Sequence, residues 1–103
     1  MHYIFCYDFA NDSLRTHLAN VLERHGCVRL QYSVWFTPEW TPKKLRAFRA
    51  VLQKLFVKYA ARKTTSDSVL CLPLTSDCLS ELIWEGDTTT LQTALTKIAL
   101  VWL

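Results

Sequence analysis

Residues His2 to Tyr7, HYIFCY, form a largely aromatic and apolar run without Gly or Pro, which predicts a buried strand with Asp8 at its end. Three good N-cap residue types follow, Asn11, Asp12 and Ser13, and then Leu14, Leu18, Val21 and Leu22 at helical spacing. A first helix is expected there, with capping as the expected role of Asp12. Gly26, one residue after His25, supplies a left-handed stop, and a basic residue near that end suits the helix dipole. From Cys27 to Phe36 the apolar residues Val28, Leu30, Tyr32 and Val34 alternate with Arg29, Gln31 and Ser33, the period of a half-buried strand. Ten residues is long for one strand. A break near Gln31 to Ser33 would divide it, although no Asn-Gly or Asp-Gly marks a tight hairpin there.

Thr41-Pro42 is a cleaner start signal, with Thr as N-cap and Pro at the first helical position. The second helix has an apolar stripe of Leu45, Phe48, Val51, Leu52, Leu55, Phe56 and Tyr59, and sets Arg46, Arg49, Gln53, Lys54 and Lys58 on its other side. Thr64-Thr65-Ser66 is expected to close it. Ser68 to Leu74, SVLCLPL, reads as a further strand, with Pro73 pointing to a sheet edge or strand end. Leu82 to Glu85 reads as a short strand. From Thr88 onward propensity favours a helix, but Ile98 to Leu103 is read as a terminal strand. The order strand, helix, extended stretch, helix, strand gives an α+β sandwich with two helices on one face of an antiparallel sheet. If the extended stretch is two strands, the fold is ferredoxin-like. No repeat, linker or low-complexity tract divides residues 1–103, so one domain is expected.

Composition changes this picture in two ways. Half of the 103 residues are hydrophobic and a fifth are charged, a globular balance that excludes a disordered tail. A chain of this size buries only roughly 60 to 65% of its unfolded surface, so a second copy would add useful burial. The net charge of +3 is modest but segregated. Lys43, Lys44, Arg46, Arg49, Lys54, Lys58, Arg62 and Lys63 lie in one stretch without Asp or Glu, whereas the chain beyond Lys63 is acidic. Phosphate is the commonest partner of such a cationic excess, and a merely solvated basic helix is the alternative. Cys6, Cys27, Cys71 and Cys78 form no C-x-x-C pair, which argues against zinc and for reduced, mostly buried thiols in the cytoplasm. No signal peptide or membrane span is read from the sequence.

Asp8 is the first candidate for chemistry, a lone carboxylate expected at the sheet rim; the alternative is a turn or cap residue. Magnesium takes oxygen ligands and keeps several waters while one or two carboxylates hold it. A twofold dimer would bring Asp8 from each copy to such a site, where the ion would lower the pKa of a bound water and neutralise charge building on a phosphodiester. Arg15 and Arg29 are candidates to hold phosphate near Asp8. Lys43 and Lys44 oppose the dipole of the second helix, a conflict that an anion at its unpaired N-H groups would relieve. Trp35, Trp40, Trp84 and Trp102 are expected as core or interface aromatics. His2, His17 and His25 make no metal motif, and no nucleotide loop or Ser-nucleophile motif is present.

YDFANDSLRTHLANVLERHG followed by RLQYSVWF resembles the small subunit of the CRISPR adaptation machinery, the CRISPR-associated Cas-two family. The resemblance lies in Tyr7-Asp8 ending the first strand, Arg15 early in the first helix, Gly26 after it, and Arg29-x-Gln31-x-Ser33-Val34 leading to an aromatic. VLCLPLT and IWEGD extend it to Asp87. It implies a ferredoxin-like homodimer with Asp8 of both chains near the dyad and a divalent metal, Mg2+, between them. Members are described as metal-dependent endonucleases acting on RNA or duplex DNA, and as the central DNA-binding dimer between two integrase dimers, where the carboxylate can be dispensable. By this resemblance Asp8 is the catalytic residue and metal ligand and Arg15 and Arg29 are phosphate contacts; Lys43, Lys44, Arg46 and Arg49 join them as the basic helix that would hold nucleic acid. His17 stands where some members carry a second Arg, and Thr37 replaces a usual acidic residue. Endoribonuclease, endodeoxyribonuclease, non-catalytic scaffold and RNA-cleaving toxin-like relative all stay open.

Overall fold

The computed structural model describes residues 1–59 and 67–98. The elements are β1 (His2–Asp8), α1 (Asp12–Arg24), β2 (Val28–Gln31), β3 (Val34–Phe36), α2 (Pro42–Lys58), β4 (Ser68–Leu74), α3 (Ser76–Ser80) and α4 (Thr89–Ile98). The sheet is antiparallel throughout, in the order β2-β3-β1-β4. This is the ferredoxin-like arrangement, and the long extended stretch is indeed two strands. β4 is an edge strand, which accommodates Pro73 without the loss of an interior ladder bond.

Both long helices start where their caps dictate. Thr41 Oγ1 accepts the Lys44 N–H at 3.1 Å and Pro42 opens α2. At α1 the cap is Asn11, not Asp12: Asn11 has an extended backbone and its side chain accepts the Leu14 N–H at 3.0 Å. Asp12 is instead a first-turn residue whose carboxylate pairs with Arg15. Gly26, at φ +82°, takes the left-handed conformation expected after α1.

A two-residue turn, Tyr32-Ser33, closes the hairpin between the paired residues Gln31 and Val34. No non-Gly residue among those described has positive φ, so this is not a primed turn. The register shifts by one between Arg29 and Gln31, and the extra residue, Leu30, forms a bulge that provides twist by another route. Leu82 to Glu85 is not a strand. The last segment is helical from Thr89 through Ile98, so the strand expected to start at Ile98 does not start there; residues 99–103, like the expected helix closure at Thr64 to Ser66, lie outside the described residues.

Alternation along β1 separates two faces. Tyr3, Phe5 and Tyr7 meet Leu14, Leu18, Val21 and Leu22 of α1 and Phe48 and Leu55 of α2 in the main core. α1 and α2 run antiparallel over it, since Phe9 packs on Phe56 at one end and His25 on Phe48 at the other. The opposite face carries Leu30 and Phe36 under Ala94 and Leu91 of α4, with Ile4, Val34 and Trp84 alongside. α4 covers only the β2–β3 side. Leu70 and Leu72, paired with Cys6 and Ile4, keep 53% and 48% of their surface exposed.

Candidate nucleic-acid interface and metal ligand

Asp8 closes β1 opposite Ser68, exposed, on the same face by alternation as Ile4 and Cys6. It therefore sits at the end of a strip that α4 does not cover among the described residues. Asp67 lies next to Ser68 but its carboxylate accepts the Ala10 N–H at 2.8 Å. No group of three His, Cys, Asp or Glu side chains gathers among the described residues. One chain thus brings a single carboxylate at this position, a fraction of the six oxygens of a magnesium shell, so waters, a second copy's carboxylate or a substrate phosphate would have to supply the rest.

Arg15 and Arg29 come together on one ring. Their guanidinium carbons lie 5.8 and 5.9 Å from the centroid of Tyr32, and Arg29 also stacks on Trp35 at 4.8 Å. Arg29 and Trp35 are cross-strand partners, and Trp35 is fixed by an Nε1–H bond to the Tyr7 hydroxyl at 3.0 Å. Arg15 donates to Asp12 and to the carbonyl of Phe9, the residue after Asp8. Its bond to Asp12 is the main influence raising its pKa further, so its charge is permanent. The alternation from Val28 to Val34 predicts Tyr32 among the strand's inward positions. The turn instead leaves Tyr32 67% exposed, and the signal that would have located it was the weak break between Gln31 and Ser33.

The basic residues of α2 divide. Lys43, Arg46 and Arg49 are exposed, and the helix has no acid in its first turn. Arg49 lines a groove of about 880 Å³ between α2 and β4. Lys44 is half-buried: its ammonium donates to His25 Nδ1 at 2.7 Å and lies 5.5 Å from the Trp40 ring centroid. Burial, then Lys44 and Arg24, hold the His25 pKa below its ordinary value, so the ring is a neutral acceptor at pH 7. His17 Nδ1 is 3.3 Å from the Tyr59 hydroxyl, and burial followed by Lys58 and Arg24 lowers its pKa as well. It is no replacement for a permanent cation.

Thr37 has a structural role that an acid would not fill. Fully buried, it accepts the Tyr3 N–H and donates to the Pro38 carbonyl, each at 2.9 Å. Its own carbonyl meets His2 Nδ1 at 2.9 Å. Trp35 and Trp40 are core residues, and Trp84 is half-buried with its N–H on the Asp87 carbonyl; Trp102 lies outside the described residues. The cysteines are free thiols. Only Cys27 is buried, which pushes its pKa up to about 12, while Cys78 is exposed, so the expectation of mostly buried thiols holds in part. No helix among the described residues is long and apolar enough to cross a membrane.

No curated protein matches this chain significantly. Among solved structures, a chain in one described as a "Partial Cas6-RT-Cas1–Cas2 complex" is 22% identical, with a TM-score of 0.65 over 86% of this chain and 85% of that one. At that identity the likeness establishes the shared fold. In sequence, a model of the CRISPR associated protein Cas2 family matches residues 1–82, well over half of the length, and the chain belongs to that family.

Proposed function

We propose that this chain acts in CRISPR adaptation as a homodimeric subunit that holds duplex DNA beside an integrase. Family membership supports the adaptation role, and the solved relative's place in a Cas1–Cas2 complex supports the integrase partner. The observation that carries the binding reading is the separation of charge: α2 exposes Lys43, Arg46 and Arg49 with no carboxylate anywhere along it. Arg15 and Arg29 add cations from α1 and β2. The exposed Leu70 and Leu72, beside the half-buried Ile4 and Cys6, form the apolar surface on which a second copy would pack, doubling the +3 charge and placing two Asp8 residues near one axis.

Phosphate neutralisation makes duplex affinity fall with salt, with a log–log slope of about −0.9 per phosphate contacted. Replacing Lys43→Glu and Arg46→Glu together is expected to weaken duplex binding and to flatten that slope by about 2 per chain. A titration in which affinity and slope match the wild type would contradict the reading. Lys44 is the poorer probe, because its ammonium is already engaged by His25.

The exposed carboxylate of Asp8 favours a second reading, nuclease action on DNA or RNA. Asp8 from each copy would hold Mg2+, and the ion would supply charge neutralisation at a phosphodiester and a more acidic bound water. Asp8→Ala is then expected to abolish Mg-dependent cleavage while duplex affinity and dimerisation persist. Cleavage surviving in that variant would point to another site or a contaminating nuclease and contradict the role given to Asp8.

A further inference from the structure

A groove of about 510 Å³ runs between α1 and the β2–β3 hairpin. Arg15, Asn20, Arg29, Tyr32 and Lys97 line it, and Glu23 is its one carboxylate. Its volume falls within the range of about 300 to 1,000 Å³ typical of small-ligand sites. Arg15, Arg29 and Lys97 face Glu23 in the lining and Asp12 already pairs with Arg15, so one net positive charge remains to favour an anion; the cations come from three elements, α1, β2 and α4.

The aromatic wall is unusual in being both exposed and fixed. Tyr32 is exposed, yet the next residue, Ser33, accepts the Tyr7 N–H through its carbonyl at 3.1 Å and so ties the turn to the central strand. The two guanidiniums on Tyr32 lie near the outer limit of cation–π contact, so a flat ligand gives up little by taking a ring face. Arg29 is held against Trp35 and Arg15 against Asp12 and Phe9, so both charges are placed before any ligand arrives.

We propose that this groove binds an unpaired nucleotide, its base stacked on Tyr32 and its phosphates between Arg15, Arg29 and Lys97. The proposal rests on the nucleic-acid reading above and narrows it to single-stranded or splayed chain at this groove. Bases within a duplex cover one another's faces and leave none for Tyr32. An unpaired base offers a face regardless of sequence, so the groove would be tolerant of base identity.

The test compares a short labelled oligothymidylate with a blunt labelled duplex by fluorescence anisotropy. Tyr32→Ala is expected to weaken oligothymidylate binding by about 5- to 150-fold, the effect of one lost base stack, and to leave duplex affinity unchanged. Tyr32→Phe keeps the ring and should bind both probes like the wild type. The proposal is overturned if Tyr32→Ala binds the oligothymidylate normally, if it loses both probes equally, or if the wild type binds the duplex alone. Failure of the wild type to bind either probe would sink the nucleic-acid reading itself, which separates the two outcomes.

Discussion

The neutral state of His25 is what lets Lys44 point inward. Its Nδ1 lone pair accepts the Lys44 ammonium, and a protonated ring would have no lone pair to offer. Because His17 and His25 both have lowered folded-state pKa values, the unfolded chain takes up protons that the folded chain refuses as pH falls through about 6.5. Stability is therefore fully present above that pH and declines below it, levelling off only beneath the lowered folded values. Thermal melts should show Tm falling between pH 7 and 5, and falling less in a variant carrying His17→Gln and His25→Gln. Equal pH dependence in the two proteins would contradict this assignment. The same residues mark the limit of sequence reading. Lys44 was visible as a cation, but nothing in its spacing revealed that α1 and α2 lie antiparallel and bring His25 beneath it.

Element by element, legibility followed the strength of local chemistry. Thr41-Pro42, Gly26 and the apolar stripes of α1 and α2 act over a few residues, so cap, stop and buried face could all be read. The cap of α1 was displaced by one residue because Asn11, Asp12 and Ser13 are nearly equivalent as caps, and only the backbone at Asn11 decides among them. The hairpin was harder, since its turn lacks glycine and relies on a bulge, a feature of pairing rather than of composition. For α4 the tertiary context decides: Leu91 and Ala94 pack on β2 and β3, and a helix can present both to that surface from one face. Asp8 could be placed at a strand end from sequence, whereas the meeting of Arg15 and Arg29 on Tyr32 needs the hairpin geometry.

At the scale of the whole molecule, the sheet is covered unequally. One face is sealed by α1 and α2, while α4 covers only half of the other and leaves Leu70 and Leu72 beside Ile4 and Cys6, with Asp8 at the end of the strip. The proposed pairing through that strip would bury apolar surface that a short chain cannot cover alone, gather two cationic helices onto one particle and bring two single carboxylates together. Sedimentation equilibrium measures this directly. The wild type should behave as a particle of twice the 12.0 kDa chain mass, and Leu72→Glu, which places a charge on an exposed position of the strip, should fold normally and sediment as one chain. A wild type of 12.0 kDa at concentrations that bind duplex DNA, or a Leu72→Glu protein that stays paired, would contradict the account.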